Sequence, residues 1–179
     1  MAEAFKLYKL IILYMLDKVD FPLTNSQISE FILDKGYTNY FTVQRAFHEL
    51  EEENMLRVKQ IRNMSHYALS DEGSEAIEMF EYQIPNSIKE DIAQFLKEKE
   101  YELRKEASVT ADFYPSKGDE YTVNLKIREK ENLLLEINLN VVSRDQAVYI
   151  CDHWEKKHSD VYSMLIEKLL FDGGCRIND

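Results

Sequence analysis

The sequence predicts an α+β fold. Three helices and a hairpin fill its first half; a helix, a three-stranded antiparallel sheet and C-terminal helices fill its second. Three observations carry that expectation. Helical apolar periodicity in the first eighty residues is interrupted by one pair of strand-like runs. Residues 121–142 alternate apolar and polar side chains with period two. Between these patterns stands Ile84-Pro85-Asn86-Ser87, a break that sets expected domains at 1–83 and 84–179.

The first helix covers 3–18, with Phe5, Leu7, Leu10, Ile11, Ile12, Leu13, Tyr14 and Leu16 forming a face wide enough to be covered on several sides. Phe21-Pro22-Leu23 ends it, because Pro22 disfavours helix in the residue before it. Thr24 or Asn25 caps a second helix that buries Ile28, Phe31 and Ile32 and stops at Lys35-Gly36-Tyr37. Thr38 or Asn39 caps a third, with Val43, Phe47 and Leu50 along one face. Residues 54–61 read as a strand, Arg62-Asn63-Met64-Ser65 as a polar turn, and 66–69 as the returning strand. Ser70 then caps another helix whose first turn is acidic, as the helix dipole favours.

In the second half, Asn86 or Ser87 caps a helix carrying Ile88, Ile92, Phe95, Leu96 and Leu103. Strands are expected at 108–114, across Tyr121–Arg128 and across Leu133–Val142, the last two joined at Lys130-Glu131-Asn132. The end is helical in two stripes, Ala147, Ile150, Cys151 and Trp154 and then Val161, Tyr162, Leu165, Ile166, Leu169 and Leu170, with a break expected near His158-Ser159. The second stripe is apolar enough to cover the sheet or to pair with a second subunit.

Three helices, a hairpin and a following helix in about eighty residues make the order of a winged helix-turn-helix. The run TVQRAFHELEEENML resembles the recognition helix and first wing strand of MarR- and PadR-type regulators, and HYALSDEGSEAIEMF resembles their second wing strand and following helix. YALSDEG, FEYQIPNSIKEDI and AVYICDHWEKKHSDVYSMLIEKLL together resemble a bacterial family known as a domain of unknown function with a winged-helix start. That resemblance covers most of the chain and implies a regulator, with no ligand or catalytic residue to carry over. The three strands of the second half depart from the MarR pattern, so the ligand pocket of that group is not transferred.

A net charge of −11 over 179 residues repels DNA and anionic membranes as a bulk property. Screening over roughly 8 Å leaves room for a local basic patch. The apolar cluster near the N-terminus is shorter than the ~20 residues of a membrane span, so no membrane partner is expected. Two cysteines, Cys151 and Cys175, and no signal peptide point to the cytoplasm.

On the third helix, Tyr40, Gln44, Arg45 and His48 are expected opposite the core side, with Thr38, Asn39 and Thr42 at its N-terminal end. Arg pairs with guanine, Gln with adenine, and Thr42 suits a phosphate. Glu49, Glu51, Glu52 and Glu53 repel phosphate unless the helix enters a groove by its N-terminal end. Lys59, Arg62, Asn63 and His66 on the wing suit phosphate or the minor groove; a charged hairpin edge that deters aggregation is the plainer reading. Cys151, His153 and His158 lack the spacing of a zinc site, and no phosphate loop, nucleophile elbow or HExxH occurs. No metal, cofactor or catalytic residue is therefore expected. The expected partners are double-stranded DNA, a second copy, and a small effector or protein at the second half. The alternative function is a winged-helix protein-interaction module whose acidic surface does not bind DNA.

Overall fold

A computed structural model describes residues 2–130 and 132–170. Among these residues lie six α-helices, one 3-10 turn and two small antiparallel sheets, giving a mixed α+β chain. The order is α1 (Ala2–Asp17), β1 (Leu23–Thr24), α2 (Asn25–Asp34), α3 (Tyr40–Glu52), β2 (Leu56–Ile61), β3 (Met64–Leu69), α4 (Asp71–Phe80), the 3-10 turn Glu81–Gln83, α5 (Asn86–Ser108), β4 (Val109–Pro115), β5 (Tyr121–Glu129), β6 (Asn132–Val141) and α6 (Arg144–Leu170). The chain divides after Ala107 into two compact units.

In the first unit α1 is the hub. Leu10 through Leu16 are all buried, and the helix packs on α3, α4, β3 and the 3-10 turn. Thr24 caps α2 in a capping box: its hydroxyl accepts from Gln27 N at 3.2 Å, and Gln27 Oε1 accepts from Thr24 N at 2.8 Å. Helix α2 ends with Gly36 at φ 68°, Tyr37 N donating to Ile32 O at 3.1 Å and Gly36 N to Leu33 O at 2.9 Å. That is the paired closure of a helix end that only a residue free at positive φ adopts without strain. Leu23–Thr24 adds a short strand that the sequence reading did not foresee, giving the sheet order β1-β3-β2. The β2–β3 turn is tighter than expected: Ile61 pairs with Met64, leaving only Arg62 and Asn63 between the strands.

Helix α5 lies in the first unit, so the division falls after Ala107 and not at the expected break near Ile84. Long-range contacts explain it. Phe95 meets Phe31 with ring centroids 5.0 Å apart, and Asp91 accepts from Lys35 Nζ at 2.7 Å and Tyr37 Oη at 2.5 Å. Burial and the Asp91 bond raise the Tyr37 hydroxyl pKa, while Lys35 and Tyr37 hold Asp91 below its usual value. Arg104 reaches Asp20 at 3.0 Å near the other end of α5.

The second unit packs α6 on the sheet β4-β5-β6. Val123, Leu125, Ala147, Cys151 and Trp154 form its core, and Trp154 Nε1 donates to Lys126 O at 3.3 Å. The break expected near His158-Ser159 does not occur; α6 is continuous from Arg144 to Leu170. Ala147, Cys151, Trp154, His158, Val161 and Leu165 recur at alternating steps of four and three, so the two expected stripes are one helical face. Beyond Val161 the helix carries exposed Met164, Ile166, Leu169 and Leu170.

Gly73 lies in the first turn of α4, where Ser70 N donates to Met55 O at 3.2 Å and Ser70 Oγ accepts from Gly73 N at 2.9 Å. A Cβ at Gly73 would overlap the Met55 carbonyl oxygen and press on Leu69. Gly73→Ala is expected to lower stability by about 1–3 kcal/mol, the usual cost of overpacking. An unchanged urea midpoint would show that the α4 start is not pinned there.

Candidate nucleic-acid interface

Asn39 caps α3 in extended geometry, its Oδ1 accepting from Thr42 N at 3.0 Å and Thr42 Oγ1 at 3.2 Å. Thr38 is half-buried just before it. Val43, Ala46, Phe47 and Leu50 are buried, and Phe47 stacks on Tyr67 of β3 at 4.6 Å. The inward face fixes the outward one. Phe41, Arg45, His48 and Glu52 recur at i, i+4, i+7 and i+11 and form an exposed stripe. Phe41 is 84% exposed and meets Tyr40 edge-on at 6.0 Å. The Arg45 side chain, 68% exposed, donates to Glu49 Oε1 at 3.0 Å and stands over the Phe5 ring at 4.4 Å.

Two expected contact residues sit elsewhere. Gln44 turns toward α2: Asn25 Nδ2 donates to its Oε1 at 3.0 Å, and its Nε2 donates to Asn25 Oδ1 at 2.9 Å and Ser29 Oγ at 3.3 Å. This amide pair fixes α3 against α2 and leaves Phe41 on the stripe where Gln44 was expected. The sequence signal for Phe41 was a large apolar residue on the polar side of an amphipathic helix. His66 is the second: it is only 6% exposed, on central strand β3 between Thr24 of β1 and Lys59 of β2. The hairpin brings the other residues of that group together. Lys59 is exposed on edge strand β2, while Arg62 and Asn63 form the exposed turn. Arg62 holds φ 54°, a conformation costly for a residue with a Cβ. At the base of the hairpin, Arg57 pairs with Asp71 at 2.5 Å.

Charge is distributed unevenly over this surface. Residues 35–48 and 54–70 contain no Asp or Glu in a chain that has 33, yet they carry Lys35, Arg45, Arg57, Lys59 and Arg62. The carboxylates between these windows are engaged. Glu53 binds Lys9 Nζ at 2.8 Å, Glu49 binds Lys9 at 3.5 Å as well as Arg45, Glu51 accepts from Tyr67 Oη at 2.8 Å, and Glu52 lies 3.5 Å from His48.

A family model described as Domain of unknown function (DUF4364) matches residues 8–169. The chain belongs to the DUF4364 family. No match to it arises among curated proteins or solved structures. In this DUF4364 chain, no group of three or more His, Cys, Asp or Glu among the described residues could hold a metal ion. Cys151 is buried in the second core, and Cys175 lies outside the described residues. The His153 and His158 rings each donate through Nδ1, to Tyr149 O and Glu155 O, both at 2.8 Å. No helix among the described residues is long and apolar enough to cross a membrane.

His66 Nδ1 is buried without a hydrogen-bond partner among the described residues. Burial lowers the His66 pKa from its usual 6.5, and nearby Lys59 adds to this, against opposing pulls from Met64 and Glu106. The fold therefore favours the neutral ring. Above the unfolded value both states are neutral; below it the unfolded chain binds a proton that the folded chain resists, and stability falls with pH. Wild type is expected to lose unfolding free energy relative to His66→Gln from about pH 7.5 to about 5.5. A wild-type-to-variant difference in urea midpoint that stays constant over that range would contradict this account.

Proposed function

We propose that the chain is a transcriptional regulator of the bacterial cytoplasm that binds double-stranded DNA as a homodimer, its first unit being a winged helix-turn-helix. The acid-free windows 35–48 and 54–70 carry this reading, because they coincide with the approach to α3 and its residues as far as His48, and with the β2–β3 hairpin. A surface for phosphates gathers cations; at Arg45 and Arg57 an incoming phosphate competes with Glu49 and Asp71. In the proposed docking, the N-terminal half of α3 enters the major groove, with Arg45 on guanine and Phe41 against a thymine methyl. Lys59, Arg62 and Asn63 meet phosphate or the minor groove as a wing. Gln44 becomes a positioning residue, and His66 makes no DNA contact. No catalytic step is assigned.

The exposed apolar end of α6 supports the dimer, since paired half-sites call for two-fold symmetry. One observation favours a second reading, a protein-interaction module: the net charge of −11, with Asp71, Glu72, Glu75 and Glu78 all exposed on α4.

Sedimentation is expected to give a dimer at tens of micromolar, roughly the range in which weak dimers still populate. Leu165→Glu combined with Leu169→Glu is expected to give monomers; a monomeric wild type would remove the dimer from the proposal. Competition between specific and random duplexes at two salt concentrations tests the docking. Arg45→Ala is expected to cost ~1–3 kcal/mol at the preferred site and to relax sequence preference. Arg62→Ala is expected to weaken all sequences alike and to flatten the salt dependence. Wild type without any salt-dependent DNA binding would overturn the regulator reading in favour of the protein-interaction module.

A further inference from the structure

A cavity of about 330 Å³ opens in the first unit between α1, α3 and α4. Its apolar wall includes Phe5, Leu10 and Leu13 of α1, Leu50 of α3, and Ala76 and Phe80 of α4. The volume falls at the small end of the range for ligand sites. At about 30 Å³ per water it matches about eleven water-sized groups, which is the size of a ring with a short acid chain.

The polar groups at this cavity are mostly cationic. Lys6 and Lys9 line it with a single acid, Glu53, in a chain whose net charge is −11. Lys6 Nζ stands 4.3 Å from the centroid of the Phe80 ring and has no carboxylate partner among the described residues. Lys9 is different: its side chain is only 17% exposed, and its Nζ bonds both Glu53 oxygens at 2.8 and 2.9 Å. A cation held over an aromatic wall without an acid is a ready donor for an incoming anion. Lys9 is a second donor that the anion reaches by competing with Glu53.

We propose that this cavity binds a small amphipathic anion, an aryl or alkyl carboxylate whose apolar part fills the space between α1, α3 and α4. Its carboxylate accepts from Lys6 Nζ and draws Lys9 from Glu53. The occupant also lies next to the groups that hold Arg45. Phe5 is both cavity wall and the ring beneath the Arg45 guanidinium, and Glu49 binds Lys9 and Arg45 together. An effect of the anion on DNA therefore rests on the reading of α3 proposed above; the binding itself does not.

Calorimetric titration of the full chain with 3-phenylpropionate, in the absence of DNA, tests the site. One binding event per chain is expected, and the neutral 3-phenylpropanamide is expected to bind about tenfold more weakly, the worth of one charge-assisted hydrogen bond. Lys6→Ala should cost a similar factor. Glu53→Gln should tighten binding several-fold by freeing Lys9, roughly the effect of removing one competing ion pair. Ala76→Phe should fill the cavity and abolish binding. If that variant fails to fold by circular dichroism, the exposed Lys6→Ala change decides. Absence of saturable binding, equal affinity for the amide, or wild-type affinity in Lys6→Ala overturns the proposal. Failure of DNA binding leaves this titration untouched, so the two readings fail separately.

Discussion

Seven consecutive residues of α1, Leu10 to Leu16, are each at most 8% exposed, and the first unit is built around that fact. An amphipathic helix buries three or four residues in seven; one buried over all seven has no solvent face and must be enclosed. The enclosing side chains come from α3 through Val43, Ala46, Phe47 and Leu50, from β3 through Tyr67, from α4 through Ile77, and from Ile84 beyond it. The larger of these side chains, such as Val43, Phe47 and Leu50, each contribute about 1.5–3 kcal/mol on burial, while an exposed pair such as Arg45–Glu49 contributes about 0.3–0.5 kcal/mol. The core therefore decides how α3 is rotated, and the ion pairs on its surface only trim that orientation. Phe41, Arg45 and His48 face outward because Phe47 and Leu50 cannot.

Much of this was legible in the sequence because it rests on local rules. Periodicity located the helices, and period-two alternation located β5 and β6. Capping chemistry narrowed three helix starts to one or two residues, and the structure assigns Thr24, Asn39 and Ser70 as the caps. Gly36 marked the end of α2 because a positive φ there favours glycine.

Features set by long-range partners were less legible. The Ile84–Ser87 break was visible, but Pro85 opens α5 without separating units: Ile88 N and Lys89 N both donate to Pro85 O. Which unit keeps α5 depends on Phe31, Lys35 and Tyr37, more than fifty residues away in sequence. Gln44 and His48 both lie on the polar side of α3, yet Asn25 and Ser29 claim only Gln44. His66 reads as a hairpin cation in the sequence, yet the short strand β1 makes β3 the central strand, and His66 is buried there. Two residues of strand carry no periodicity, so nothing local announces them. The continuous α6 was obscured because its stripe passes through His158, a polar residue, between Trp154 and Val161.

The charge balance is the point on which the first unit's chemistry turns. A face that attracts anions on a chain of −11 requires its carboxylates to be distant by a screening length of roughly 8 Å or engaged where they stand. The last turns of α3 use the second route. Glu49 and Glu53 share Lys9, which α1 supplies from beneath, and Glu51 is drawn to Tyr67. A bound carboxylate oxygen is directed toward its donor, so Glu51 and Glu53 lean toward the body of the unit, while Glu49 is held between Lys9 and Arg45. Lys9 thereby serves two surfaces: it restrains the acids of α3, and its stem lines the cavity behind them. Any anion that claims Lys9 from the cavity returns negative charge to the end of α3. The end of α3 and the cavity are thus electrostatically coupled through Lys9, which lines the one and binds Glu49 and Glu53 of the other.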